Sequence, residues 1–142
     1  MTIEVLIVDD APFVALDLED TVFEAGFMAL RPCGSVSGAL ALLDRQLPDC
    51  AILDITLADG DVFPVADCLR DGGIPIIFHS GISETSEIKA RYPDAYFCLK
   101  PCTQAEISKT LKHAIQRKNN HGRDKVDELM SRASDGADGP GR

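Results

Sequence analysis

A doubly wound α/β domain on a five-stranded parallel sheet is the fold class this sequence predicts, on three observations. Short apolar runs alternate with helix-patterned segments five times along the chain, and such alternation with right-handed crossovers builds a parallel sheet. The runs at 5–8 (VLIV) and 51–53 (AIL) are apolar throughout, as strands buried on both faces are. Aspartates close both runs, Asp9 and Asp10 after Val8 and Asp54 after Leu53, and open α/β sheets place their ligands at that carboxyl edge.

The elements follow in order. After the first strand, Pro12 stands where a helix accepts a first-turn proline, and Val14, Leu18, Val22 and Ala25 recur at helical spacing until Gly26. Residues 27–30 read as the second strand. A helix from Ser37, with Leu40, Leu43 and Leu47 on one side, stops at Pro48, because the residue before proline disfavours helix. The strand that Asp54 closes comes next. Residues 62–70 form a third helix ended by Gly72 and Gly73, 75–79 a fourth strand, and 83–91 a short, weakly patterned helix halted before Pro93. Residues 96–99 are the fifth strand. The last helix opens with the capping box Thr103-Gln104-Ala105-Glu106 and carries the stripe Ile107, Leu111, Ala114 and Ile115. Strand order reverses beside the first strand, so Asp9, Asp10 and Asp54 meet there.

Beyond Lys118 the composition turns to Asn, Gly, Asp, Ser and Arg, with Val126, Leu129 and Met130 the sizeable apolar residues. The expectation is one domain over 1–118 and a mobile polar tail over 119–142, with a transient helical turn or two around 125–132. A chain of 142 residues, 45% hydrophobic, suits a single core. The net charge of −9 argues against nucleic acid, whose phosphates are bound by clustered Lys and Arg. No basic leader precedes a long apolar region, and no stretch approaches the ~20 apolar residues of a membrane helix, so the expected location is the cytoplasm, away from membranes. Five cysteines, an odd number with no C-x-x-C pair, indicate neither a disulfide framework nor a zinc site. Cys50 and Cys98 lie in strand-like runs as small buried side chains, whereas Cys33 and Cys102 are expected to be more exposed.

Like charges about 5 Å apart repel by roughly 3 kcal/mol at an effective dielectric of about 20, so three gathered carboxylates call for a cation. A hard divalent ion with oxygen ligands, Mg²⁺ above all, meets that need. Ser80 ends the fourth strand and Lys100 the fifth, at the same edge. An aspartate flanked by a metal, a hydroxyl and an ammonium is suited to receive a phosphoryl group. Asp54 is then the nucleophile, Lys100 and Mg²⁺ neutralise the transferred oxygens, and Ser80 donates a hydrogen bond. Asp9 and Asp10 hold the metal together with Asp54 and the backbone carbonyl of Thr56, whose loop must fold back over the ion. The sequence leaves open whether the Lys100–Pro101 bond is cis, since only about 5% of such bonds are. Blander readings exist for each residue: Asp9 or Asp10 as a helix cap, Lys100 as a solvated lysine, Ser80 as a small residue at a crowded strand end. His79 reads as a packed strand residue and His113 as part of a polar helix face.

Together the segments VLIVDDAP, AILDITL, IIFHSG and FCLKP, in this order over residues 3 to 118, resemble the receiver domain of two-component response regulators. The resemblance implies a flavodoxin-like (βα)5 fold with strand order 2-1-3-4-5. It also implies phosphorylation of Asp54 by a histidine kinase or a histidine phosphotransfer protein, with Asp9, Asp10, Ser80 and Lys100 completing the site. Phe97 occupies the position of the family's switch aromatic, commonly tyrosine, with Tyr96 pointing the other way if strand alternation holds. The loop Leu57-Ala58-Asp59-Gly60 lacks a proline common in the family, and the short span from Ser80 to Lys100 implies a reduced fourth helix. The Phe78 to Gly81 stretch is similar to that of a receiver subgroup often found without an output domain.

Three functions are consistent with these residues. The first is a stand-alone regulator that binds an unknown downstream protein or relays phosphate. The second is a constitutive binding module with an inactive site, against which the intact Asp, Ser and Lys set argues. The third is an aspartyl-nucleophile phosphatase, which ordinarily needs a second acid where this chain has Thr56. On the first reading the chain is a phosphoacceptor and no turnover enzyme.

Overall fold

The structure, a computed structural model, describes residues 2–137. Its strands and helices run β1 (Glu4–Val8), α1 (Pro12–Glu24), β2 (Met28–Ala29), α2 (Val36–Leu43), β3 (Cys50–Leu53), β4 (Thr56–Leu57), β5 (Gly60–Asp61), α3 (Phe63–Asp71), β6 (Ile76–Ser80), α4 (Ser86–Arg91), β7 (Tyr96–Leu99) and α5 (Gln104–Ala137). Five strands form one sheet in the order β2-β1-β3-β6-β7, and every neighbouring pair is parallel. This is the predicted doubly wound order once the small β4 and β5 are set aside.

The apolar runs have no polar alternation because helices cover both faces. Leu6, Val8, Leu53 and Phe78 point into one core with Ala39, Leu43, Val65 and Leu69 of α2 and α3. Their sequence neighbours Val5, Ile7, Ile52 and Ile77 point into a second core with Leu18 and Val22 of α1 and Leu111 and Ile115 of α5. Period-two alternation therefore sends consecutive residues to opposite cores, each fully buried aliphatic side chain contributing about 1.5–3 kcal/mol.

Two helices close as their glycines predict. At the end of α1, Gly26 takes φ of 93°, and the N–H groups of Gly26 and Phe27 donate to the carbonyls of Phe23 and Val22. Gly73 at φ 71° repeats the arrangement after α3, with Gly73 and Ile74 donating to Arg70 and Leu69. Only glycine enters this left-handed region without steric cost.

Several boundaries depart from expectation. Helix α2 starts one position earlier, capped by the Ser35 hydroxyl accepting from the Gly38 N–H. It ends at Leu43, so Leu47 lies outside it and is exposed. On α1 the buried positions are Ala15, Leu18, Thr21 and Val22, while Val14 is half-buried and Ala25 is the C-cap. Helix α4 begins at Ser86, where the Thr85 hydroxyl accepts from Ile88 N–H at 3.2 Å. The largest departure is α5, which continues past Lys118 to Ala137, where the composition predicts a tail with only transient turns. No proline occurs between Pro101 and Pro140 to interrupt it. Residues 138–142 of that expected tail lie outside the described residues. Among the described residues no helix is long and apolar enough to cross a membrane.

Candidate functional site

β1 and β3 run side by side with Val8 opposite Leu53, so the next residues, Asp9 and Asp54, emerge at one level. The Asp54 N–H donates to the Val8 carbonyl at 2.9 Å and fixes that level. On the other side of β3, Ser80 lies opposite Leu99, and the Lys100 N–H donates to the Ser80 carbonyl at 2.8 Å. Four strand ends thus deliver Asp9, Asp54, Ser80 and Lys100 to one edge.

One carboxylate oxygen from each of Asp9, Asp10 and Asp54 lies within 4.8 Å of the others. At that spacing each pair of charges repels by about 3 kcal/mol at an effective dielectric of about 20. Lys100 offsets part of this, with Nζ 3.4 Å from Asp9 Oδ2 and 3.3 Å from Asp54 Oδ2. One ammonium against three carboxylates leaves a net negative pocket built from oxygen donors, the donor set that a hard divalent cation takes. The residues fit such an ion.

The remaining oxygens are held by backbone. Asp9, 3% exposed, accepts from the Ala11 N–H through Oδ1 at 2.9 Å, so a capping-type contact and the cluster position coexist in one side chain. Asp10 is exposed and its Oδ2 accepts from the Ala58 N–H at 2.9 Å. Asp54 Oδ1 accepts from the Thr56 N–H at 3.4 Å, which places Thr56 at the start of β4 directly beside the cluster. Ser80 is buried, and its Oγ accepts from the Ile82 N–H at 3.2 Å. The Lys100–Pro101 peptide bond is cis.

Phe97 lies on β7 near this edge, half-buried, with its ring 6.1 Å from that of Phe78. Tyr96 faces the other way, edge-on to His113 at 5.7 Å. The cysteines are all free, with Cys50 and Cys98 buried and Cys33 and Cys102 half-buried. Cys102 Sγ donates to the Glu106 carboxylate at 3.4 Å, while the Thr103 hydroxyl accepts from the Glu106 N–H at 3.1 Å.

Two features lie beyond what the sequence predicts. The first is the β4–β5 hairpin, whose Ala58 holds Asp10 and whose Asp59 carboxylate accepts from the Val36 and Ser37 N–H groups at 2.9 and 3.3 Å. Those bonds, that to Val36 foremost, hold the Asp59 carboxyl below its ordinary 3.8, and they fasten the loop to the positive end of α2. The Asp59-Gly60 dipeptide is the available signal, since Asp-Gly favours tight hairpin turns. The second is His79, 6% exposed, whose Nδ1 has no hydrogen-bond partner. Burial, and then the charge of Lys100, push its pKa below 6.5 against the opposing pull of Asp9 and Asp54.

No family model matches the chain. It is 29% identical over 118 residues to the phyllosphere-induced regulator PhyR of Methylorubrum extorquens, a match covering 81% of this chain and 44% of that protein. The chain therefore spans less than half the length of that curated relative. Among solved structures, a response regulator receiver protein from Sinorhizobium medicae superposes with a TM-score of 0.72 at 26% identity, covering 82% of this chain and 97% of that one. The anti-anti-sigma factor PhyR of Bartonella quintana superposes with a TM-score of 0.74 at 23% identity, covering 88% of this chain and 52% of that one; at that identity the likeness is one of fold.

Proposed function

We propose that the chain acts as a response regulator receiver domain, a reading that its likeness to such proteins supports, and that it accepts a phosphoryl group on Asp54 from a phosphohistidine donor, a histidine kinase or a histidine phosphotransfer protein. The phosphorylated form then binds a downstream protein differently or passes the phosphate on. The observation that carries this reading is Lys100 Nζ standing between Asp9 and Asp54, at 3.4 and 3.3 Å, in a pocket of three carboxylates.

In the transfer, an Asp54 oxygen bonds to phosphorus as the P–N bond of the donor breaks, its electron pair staying on the imidazole nitrogen. Lys100 turns from shared contact with two carboxylates to the transferred phosphoryl oxygens, and the Ser80 hydroxyl donates to one of them. Asp9, Asp10, Asp54 and the Thr56 carbonyl are the residues that would hold Mg²⁺, which when bound neutralises developing charge on those oxygens. The acceptor is consumed in each event, so the chemistry is self-catalysed transfer and slow hydrolysis rather than turnover of a substrate.

The net charge of −9 supports a protein, and not nucleic acid, as downstream partner. The free thiols and the class of donor fit the cytoplasm. Mass spectrometry after incubation with acetyl phosphate and Mg²⁺ tests the reading. An adduct on Asp54 that lasts minutes is the expected result. No adduct would mean a constitutive binding module, and steady release of inorganic phosphate a phosphatase.

A further inference from the structure

The Lys100 ammonium contacts Asp9 and Asp54, whereas Asp10 is the exposed member of the cluster and is held by backbone, its Oδ2 accepting from the Ala58 N–H at 2.9 Å. An exposed carboxylate must give up side-chain freedom to grip an ion, and a bond that orients it beforehand lowers that cost. Hydrogen bonds of this kind to a ligating carboxylate tune metal affinity.

Ala58 is itself held from its far side. It stands at the tip of the β4–β5 hairpin, just past Leu57, which pairs with Gly60. The next residue, Asp59, sends its carboxylate to the first turn of α2, accepting from the Val36 and Ser37 N–H groups at 2.9 and 3.3 Å. The loop before α2 returns to the strand end that carries Asp10: the Asp9 N–H donates to the Cys33 carbonyl at 3.0 Å, and a Cβ at Gly34 would lie 3.9 Å from the Asp10 Cα. These contacts close a ring from Asp10 through Ala58 and Asp59 to α2 and back to Asp9. A hairpin of two-residue strands is marginal by itself, so the Asp59 anchor decides where the Ala58 N–H stands.

We propose that Asp59 is a positioning residue for Mg²⁺: through the Ala58 N–H it holds Asp10 in place for the ion and so sets the affinity of the site. This role rests on Asp9, Asp10 and Asp54 holding Mg²⁺ as proposed above, and it needs no phosphoryl transfer. Asparagine at position 59 offers one acceptor oxygen, and its amide N–H₂ meets a second N–H donor, so one of the two bonds to α2 is lost. Proline at position 58 removes the N–H that holds Asp10 while every charge stays. Ala58 has a negative φ, and proline suits the first central position of a turn with that geometry.

The test titrates Mg²⁺ into the full chain and its variants, followed by ¹⁵N–¹H chemical shifts. The dissociation constant is expected to rise about tenfold in Asp59→Asn and in Ala58→Pro, the low end of what loss of such a supporting bond costs a metal site. At about 1 M KCl, where charges are screened beyond about 3 Å, the loss in Asp59→Asn is expected to persist, which keeps the test decisive even if Ala58→Pro does not fold. Ser35→Ala removes the other cap of α2, the hydroxyl that accepts from the Gly38 N–H at 3.0 Å, and is expected to bind Mg²⁺ as the wild type does. With acetyl phosphate, the Mg²⁺ concentration for half-maximal rate should rise by the same factor in Asp59→Asn while the rate at saturating Mg²⁺ is unchanged, a split that loss of folded protein would not give. Wild-type affinity in Asp59→Asn overturns the proposal and leaves the ligand set standing. A loss that vanishes at high salt, or one matched by Ser35→Ala, overturns it as well. A wild-type chain that takes up no Mg²⁺ overturns the ligand set too.

Discussion

Lys100 faces two carboxylates at once, and this decides what happens when a single charge is removed. In Asp54→Asn, repulsion with Asp9 and Asp10 is relieved while Lys100 keeps Asp9, so without Mg²⁺ the variant is expected to melt at or above the wild-type temperature and to take up no phosphoryl group. In Lys100→Met, the buried Asp9 faces Asp54 uncompensated. Breaking a fully buried pair costs about 3–5 kcal/mol, and with the Lys100 side chain 27% exposed solvent screening reduces the expectation to about 1–2 kcal/mol. The double variant should recover much of that loss. Thermal melts of the three variants are the check, and a strongly destabilised Asp54→Asn would sink the account of the cluster. His79 makes a second prediction at this scale. Its folded pKa lies below 6.5, so between that value and 6.5 the unfolded chain binds the extra proton first, and stability falls as pH drops through this window. His79→Phe should lose that part of the pH dependence. If wild type and variant fall in parallel from pH 7 to 5, the imidazole is not the cause.

At the scale of elements, α1 and α4 flank the site in different ways. On α1, Phe13 is 84% and Leu16 54% exposed, and with Asp20 they form a face turned from the core stripe. We expect that face to receive the helical phosphohistidine donor. Leu16→Ala should slow transfer from the cognate kinase severalfold while phosphorylation by acetyl phosphate is unchanged, and a wild-type kinase rate would remove the idea. The sequence pattern makes all of 83–91 the least costly segment to move. The structure fastens its far end: Tyr92 Oη donates to Asp67 Oδ1 at 2.6 Å, Arg91 Nη2 donates to Asp67 Oδ2 at 2.7 Å, and Arg91 lies 5.1 Å over the Phe63 ring. Burial works to raise the Asp67 carboxyl, but these bonds outweigh it and hold it below 3.8. Residues 81–87 are exposed throughout, with few contacts to lose on moving. Phe97 has no phenol oxygen to find a partner outside. The switch should therefore concentrate in 81–87. Hydrogen exchange with and without beryllofluoride decides this: protection changes around Phe97 and the start of α5 that spare 81–87 would refute it.

Across the whole molecule, Phe78 ties the cores to the site. It is fully buried, its ring 5.4 Å from Tyr92 and 6.1 Å from Phe97, and it directly precedes His79 and Ser80. Phe78→Ala should cost about 3–5 kcal/mol, read as a lower urea midpoint at unchanged slope; a loss under about 1 kcal/mol would mean that the ring is not the packing centre described. Much of this architecture is legible in the chain. The apolar runs, the glycines after α1 and α3, and the aspartates and lysine at strand ends all encode structure through neighbours a few residues away. From these the parallel sheet, its order and the gathering of Asp9, Asp10, Asp54, Ser80 and Lys100 at one edge can be read, though the roles of those residues stay proposals. The apolar stripe misleads about α5, because it reports which turns pack on the sheet and not where the helix stops. The Asp59 bonds to the start of α2, the Asp67 clamp on α4 and the unpartnered His79 were decided only by the tertiary structure. The Asp59 and Asp67 contacts join residues more than 20 positions apart. Local periodicity fixes which face of an element is buried, whereas such contacts depend on how the loops close and on which polar groups that closure brings together or leaves alone.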